Sequence, residues 1–160
     1  MIQYGREDKT TVAVKYANKY FTDEHEFYRH YMNVDFQPDM SDVKLHEVIY
    51  LMGKYMQNES IEVIKWYPKW RWTKAIATTM GDGKIRLNAR TMDREKGDIV
   101  ETLVHETVHI VDNSCNEISF GHGDNSPKGK EKTAPYLIGQ LANIYYTSGK
   151  LLTVGEINEL

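Results

Sequence analysis

The sequence predicts an α+β fold in which helices pack on one face of a small antiparallel sheet. Three observations carry that expectation. Helix-length apolar periodicity recurs at about 43–56, 98–113 and 132–147, short alternating runs recur at 61–66, 72–79 and 84–89, and turn-forming residues separate them. At 160 residues the chain is long enough for a single domain, 1–160, to bury a core of ordinary size.

In chain order, residues 1–20 are ambiguous, because Thr10 to Tyr16 alternates like a strand yet could open a helix. Thr22 to Met32 reads as a helix opened by Thr22 or Asp23, and Gln37-Pro38-Asp39 as a loop. Ser41-Asp42 then caps a helix from about Val43 to Met56, whose apolar face is Leu45, Val48, Ile49, Met52 and Met56. Ile61–Trp66 and Trp72–Thr79 read as strands around Tyr67-Pro68-Lys69. The turn Gly81-Asp82-Gly83 leads into a third strand, Lys84–Ala89. Asp98 to Asn113 is a helix with Asp98 and Glu101 spaced as a capping box, and with Ile99, Val100, Leu103, Val104, Val108 and Val111 as its apolar surface. A helix from about Lys132 to Thr147 ends at Gly149, and Thr153 with Glu156 caps a short terminal helix.

Composition narrows the function classes. A net charge of −3 gives no general expectation of nucleic-acid binding. No apolar run reaches the length of a membrane span, and the polar start Met-Ile-Gln-Tyr-Gly-Arg-Glu-Asp lacks the apolar core of a signal peptide. A single cysteine excludes an internal disulfide and suits a reducing compartment, so the expected location is cytoplasmic.

Within the 98–113 helix lies His105-Glu106-Thr107-Val108-His109, an H-E-x-x-H sequence. Residues four apart share one helix face, so both imidazoles can converge on one cation, and neutral imidazole nitrogen suits zinc. Glu106 stands beside them, placed to take a proton from a metal-activated water. The other histidines lack this geometry: His25 and His30 are five apart, and His46-Glu47 has Tyr50 where a second ligand would stand.

A catalytic zinc commonly has three protein ligands and one open position. His122, flanked by Gly121 and Gly123 after a polar loop, is the candidate third ligand, since glycines permit a sharp turn and close approach. Asp112, Cys115 and Glu117 compete. Asp112 shares the helix face but suits a hydrogen bond to a ligand imidazole, a lone cysteine is more often a buried thiol, and Glu117 follows the helix closely.

Lys84-Ile-Arg-Leu-Asn88, the motif Val104–His109 and Gly121-His-Gly123 together resemble the core of the SprT-like zinc metallopeptidases, over about residues 75–126. The resemblance implies a zincin-like metallopeptidase core, with Zn²⁺ held by His105, His109 and His122 and with Glu106 as general base. The chain departs from that family at Asp124-Asn125-Ser126, where an aromatic residue is common, and its single cysteine cannot make a zinc ribbon. The expected function is therefore a zinc-dependent endopeptidase acting on protein or peptide substrates. Tyr136, Tyr145, Tyr146 and Arg86 are candidate donors to an oxyanion, and Glu101 and Asp112 candidate partners for the imidazoles.

Two rival readings remain. One is a binding module whose metal is purely structural, against which Glu106 argues. The other draws on Lys65 to Lys74, which interleaves four cations with three tryptophans and a tyrosine, the residue types of single-stranded nucleic-acid platforms. The simpler expectation for that segment is a hairpin with inward aromatics and solvated cations.

Overall fold

The computed structural model describes residues 1–3, 9–70, 75–123 and 128–160. Strand β1 (Ile2–Gln3) is followed by helices α1 (Lys9–Tyr20), α2 (Glu26–Tyr31) and α3 (Leu45–Asn58). Strands β2 (Ile61–Trp66), β3 (Ala77–Thr78) and β4 (Lys84–Asn88) come next, then helices α4 (Lys96–Ser114), α5 (Ala134–Ser148) and α6 (Val154–Asn158). The class is α+β, as expected.

The sheet, however, is mixed rather than antiparallel. Its strand order is β1-β2-β4-β3, with β1 parallel to β2, β2 parallel to β4, and only β3 antiparallel to β4. Connection length explains the difference. Three helices separate β1 from β2, and β3 lies between β2 and β4 in the chain, so neither parallel pair is joined by a short turn. Only the tight turn at Gly81 (φ 73°) and Gly83 (φ 69°) makes a hairpin, joining β3 to β4. Expected periodicity holds within the strands: Ile61, Val63, Ile85 and Leu87 are buried.

Several boundaries also shift. Thr10 to Tyr16 lies in α1, whose buried residues Thr10, Ala13, Val14, Ala17 and Tyr20 recur at helical spacing. Helix α2 begins only at Glu26, because His25 caps it: the His25 Nδ1 accepts from Phe27 N at 3.2 Å. Thr22 instead closes α1, donating to Lys19 O at 3.0 Å. For α3 the cap position falls to Lys44, whose backbone N–H donates to Glu47 at 2.7 Å, while Ser41 Oγ organises the preceding turn. The expected strand 72–79 contributes only Ala77–Thr78 to the ladder, and residues 71–74 lie outside the described residues. Buried Asn88 extends that pairing, with its N–H donating to Ile76 O and its side chain to Ala75 O, both at 2.9 Å.

Helix α4 is central to the core, burying Ile99, Val100, Leu103, Val104, Val108, Ile110 and Val111. It starts two residues before Asp98, with Glu95 as cap and no capping box. Asp98 and Glu101 serve another purpose, since both accept from Asn143 Nδ2 of α5, at 3.3 and 2.8 Å. Close approach of α5 depends on Gly139, where a Cβ would come within 2.9 Å of the Glu101 carbonyl oxygen. The terminal capping box forms as expected, with Thr153 N donating to Glu156 Oε2 at 2.9 Å, and Gly149 ends α5 at φ 69°. Among the described residues, no helix is long and apolar enough to cross a membrane.

Candidate metal centre and cleft

Helix α4 presents His105 and His109 one turn apart, and the loop after its end returns His122 to meet them. The His122 Nε2 lies 3.1 Å from the His109 Nε2 and 3.2 Å from the His105 Nε2. These are the only residues, among those described, whose ligand atoms form a group able to hold a metal ion. Asp112, Cys115 and Glu117 are not in it; Cys115 and Glu117 instead line a separate shallow hollow with Asn116 and Ile118.

The set fits a metal on geometric grounds. A tetrahedral ion with bonds of about 2.0–2.1 Å to nitrogen needs ligand nitrogens roughly 3.3–3.4 Å apart. The separations of 3.1 and 3.2 Å fall just short of that edge, and all three atoms are the outer ring nitrogens. Burial pulls the His105 imidazolium down to about 3 and that of His109 to about 4, helped at His105 by His109 and His122 and at His109 by His122. His105 and His109 are therefore neutral at physiological pH, the form that binds a metal.

Asp112 holds the loop in place. Its Oδ1 accepts from the Phe120 N–H at 2.6 Å, and the Phe120 ring is fully buried, so the residues before His122 are anchored at both backbone and side chain. Gly121 is required by this contact: a Cβ there would sit 2.5 Å from Asp112 Oδ2 and 3.6 Å from His109 Nδ1. Asp112 thus lies beside His109, opposing the loss of its proton, as well as under the loop. A Cβ on Gly123 would meet no atom of the described residues within 4 Å. His122 itself is 7% exposed.

The histidines open onto a cleft of about 1100 Å³. Glu106 and Tyr136 line it, as does the segment from Ala75 to Thr79 that contains edge strand β3. Burial alone pushes the Glu106 carboxyl up to about 7. Tyr136, in the first turn of α5, stacks on the His122 ring at 4.8 Å and meets the His105 ring edge-on at 4.4 Å. Of the four candidate oxyanion donors it alone is at the site. Tyr145 is bonded to Glu26, Tyr146 packs on Tyr16, and Arg86 is paired with Asp82. Glu101 lines the cleft but is engaged by Asn143 rather than by His105.

The remaining histidines stay apart from the site. His30 Nε2 meets Leu152 O at 2.9 Å, and His25 caps α2. In the aromatic segment, Tyr67 and Trp70 are 72% and 62% exposed instead of packed inward, and Arg71 to Lys74 lie outside the described residues.

No family model, no curated protein and no solved structure matches the chain.

Proposed function

We propose that this protein is a zinc-dependent endopeptidase, with His105, His109 and His122 as metal ligands and Glu106 as general base. The observation that carries the reading is the convergence of three outer imidazole nitrogens with a half-buried carboxyl on one open cleft. When bound, zinc supplies Lewis-acid chemistry, polarising a scissile carbonyl and acidifying water at its open position. The order strand β4, helix α4 and loop bearing His122 is also the order on which the resemblance to SprT-like metallopeptidases rests.

Each residue has a separable task. Glu106 takes the proton of the attacking water and passes it to the leaving amine, the task of a carboxylate that lines the cleft with the three imidazoles. Tyr136, held against two of the three ligand rings, donates to the developing oxyanion. Asp112 keeps His109 and the His122 loop in register. The outer edge of β3, along the cleft, offers main-chain groups to an extended polypeptide.

The test is cleavage of an unstructured protein such as casein by metal-loaded protein, with and without chelator, beside Glu106→Gln. General-base catalysis contributes about 10² to 10⁴-fold, so turnover should fall by at least that range while zinc content holds. Undiminished zinc-dependent cleavage by Glu106→Gln would remove Glu106 from the mechanism. A zinc-replete wild type that cleaves nothing would favour a structural metal.

A further inference from the structure

The rim of the cleft carries a residue in a conformation that the fold has to enforce. Met40 has φ 57°, the one left-handed backbone among the described non-glycine residues. Such a conformation is unfavourable for an L side chain, and persists where the surroundings over-determine it. They do so here. On one side the Asp39 N–H donates to Lys132 O at 3.0 Å, and Asp39 bridges Thr133. On the other, Gln37 Nε2 donates to Val43 O at 3.1 Å, and Pro38 and Val43 are buried.

This pinned turn holds an apolar side chain in water. Met40 is 65% exposed, yet it lines the same cleft as the three histidines. Thr133, to which its neighbour is bridged, is the cap residue of α5, and three residues on that helix places Tyr136 against His105 and His122. The segment leading into β3 contributes Ile76, 43% exposed and also lining the cleft. An exposed methionine or isoleucine alone is ordinary. Two on one cleft, one at a strained position tied to the catalytic wall, are a constellation.

We propose that Met40, with Ile76 and Tyr136, forms an apolar subsite that selects one bulky aliphatic or aromatic side chain of an extended polypeptide beside the scissile bond. The proposal rests on the peptidase reading and adds its specificity. Charge supports this choice of occupant. Among the described lining residues the charged groups are Glu101, Glu106 and Asp112, with no lysine or arginine, so an acidic or polyanionic chain is disfavoured. Attraction must then come from main-chain bonds along β3 and from apolar contact, for which the flexible, polarisable thioether of Met40 suits side chains of several shapes.

The decisive variant is Met40→Gly, because glycine adopts the left-handed backbone freely and the turn should survive the loss of the side chain. Zinc-loaded wild type and Met40→Gly are compared on peptides in which each position flanking the cleaved bond is either large and apolar or alanine. The expected result is that the preference for the large residue at one position falls about tenfold, within the range that apolar pockets supply. Ile76→Ala should weaken the preference at the same position. A parallel measurement uses zinc-loaded Glu106→Gln, with and without Met40→Gly, and reads peptide affinity by fluorescence anisotropy; the same preference should fall. Cleavage with an unchanged preference profile in Met40→Gly overturns the subsite and leaves the peptidase reading standing. Zinc-loaded protein that neither cleaves nor binds any of the peptides overturns both.

Discussion

Metal removal should unfold the protein at a markedly lower temperature, and the site geometry sets the size of the effect. His105 and His109 lie on a helix buried in the core, whereas His122 is on the loop between α4 and α5, so a bound ion ties a loop to the core. A ligand that binds only the folded state stabilises it by RT ln(1 + [L]/Kd), about 4 kcal/mol at a thousandfold excess over Kd. For a chain of this size, 1 kcal/mol moves the midpoint by about 2–4 °C, so saturating zinc should raise Tm by about 8–16 °C over chelated protein. Scanning calorimetry on metal-loaded, chelated and reloaded samples measures this directly. His105→Ala/His109→Ala, lacking two of three ligands, should show almost no dependence on chelator. Equal midpoints for loaded and chelated wild type, or a chelator response that survives in the double variant, would refute the reasoning.

Three further outcomes follow from the same contacts. Asp112→Ala removes the acceptor for the Phe120 N–H and should weaken zinc binding about 10–100-fold, read by competition with a chromophoric chelator; unchanged affinity would leave Asp112 without a positioning role. His122→Ala should strip the metal, whereas Cys115→Ser should retain it; the reverse pattern would displace the ligand assignment. In chelated protein, Glu106→Gln should stabilise the fold at neutral and higher pH. The carboxyl rises from 4.5 unfolded to about 7 folded, so the folded state favours its protonated form, and wild type loses stability as pH climbs through that window. At 1.36 kcal/mol per pH unit the full difference is about 3 kcal/mol above pH 7, and denaturant titrations at pH 5 and 8 that gave equal offsets between variant and wild type would contradict it.

Much of the site was legible because it rests on local rules. The i, i+4 spacing of His105 and His109 fixes their convergence wherever the segment is helical, and Gly121 marks a close approach next to His122. What occupies the other side of that approach was only half legible. Asp112 was expected to serve an imidazole, but its bond to Phe120 depends on a loop path that no spacing encodes. The conformation of Met40 was hidden for the same reason, since nothing in Asp39-Met40-Ser41 announces a left-handed methionine; the pairing of Asp39 with Lys132 and Thr133 holds it. The α+β class followed from periodicity, while the parallel pairing of β2 with β4 did not. Alternation says which face a strand buries and is silent about its neighbour's direction. Asp98 and Glu101 show the same limit: a spacing typical of a cap was spent on Asn143.

The choice between a catalytic and a structural metal turns on Glu106. A structural site needs three or four ligands, closure against solvent and nothing else. Here the three imidazoles face an open cleft, and next to them a carboxyl is held where burial alone raises its pKa to about 7. Without metal, that burial works against folding at neutral pH, and glutamine would fill the same space without the penalty. A nearby cation would offset part of the cost, but so would the neutral side chain avoid it. Retaining an ionisable group at that position is understandable if the group must gain and lose a proton, and the cleft beside it admits a substrate that could receive one.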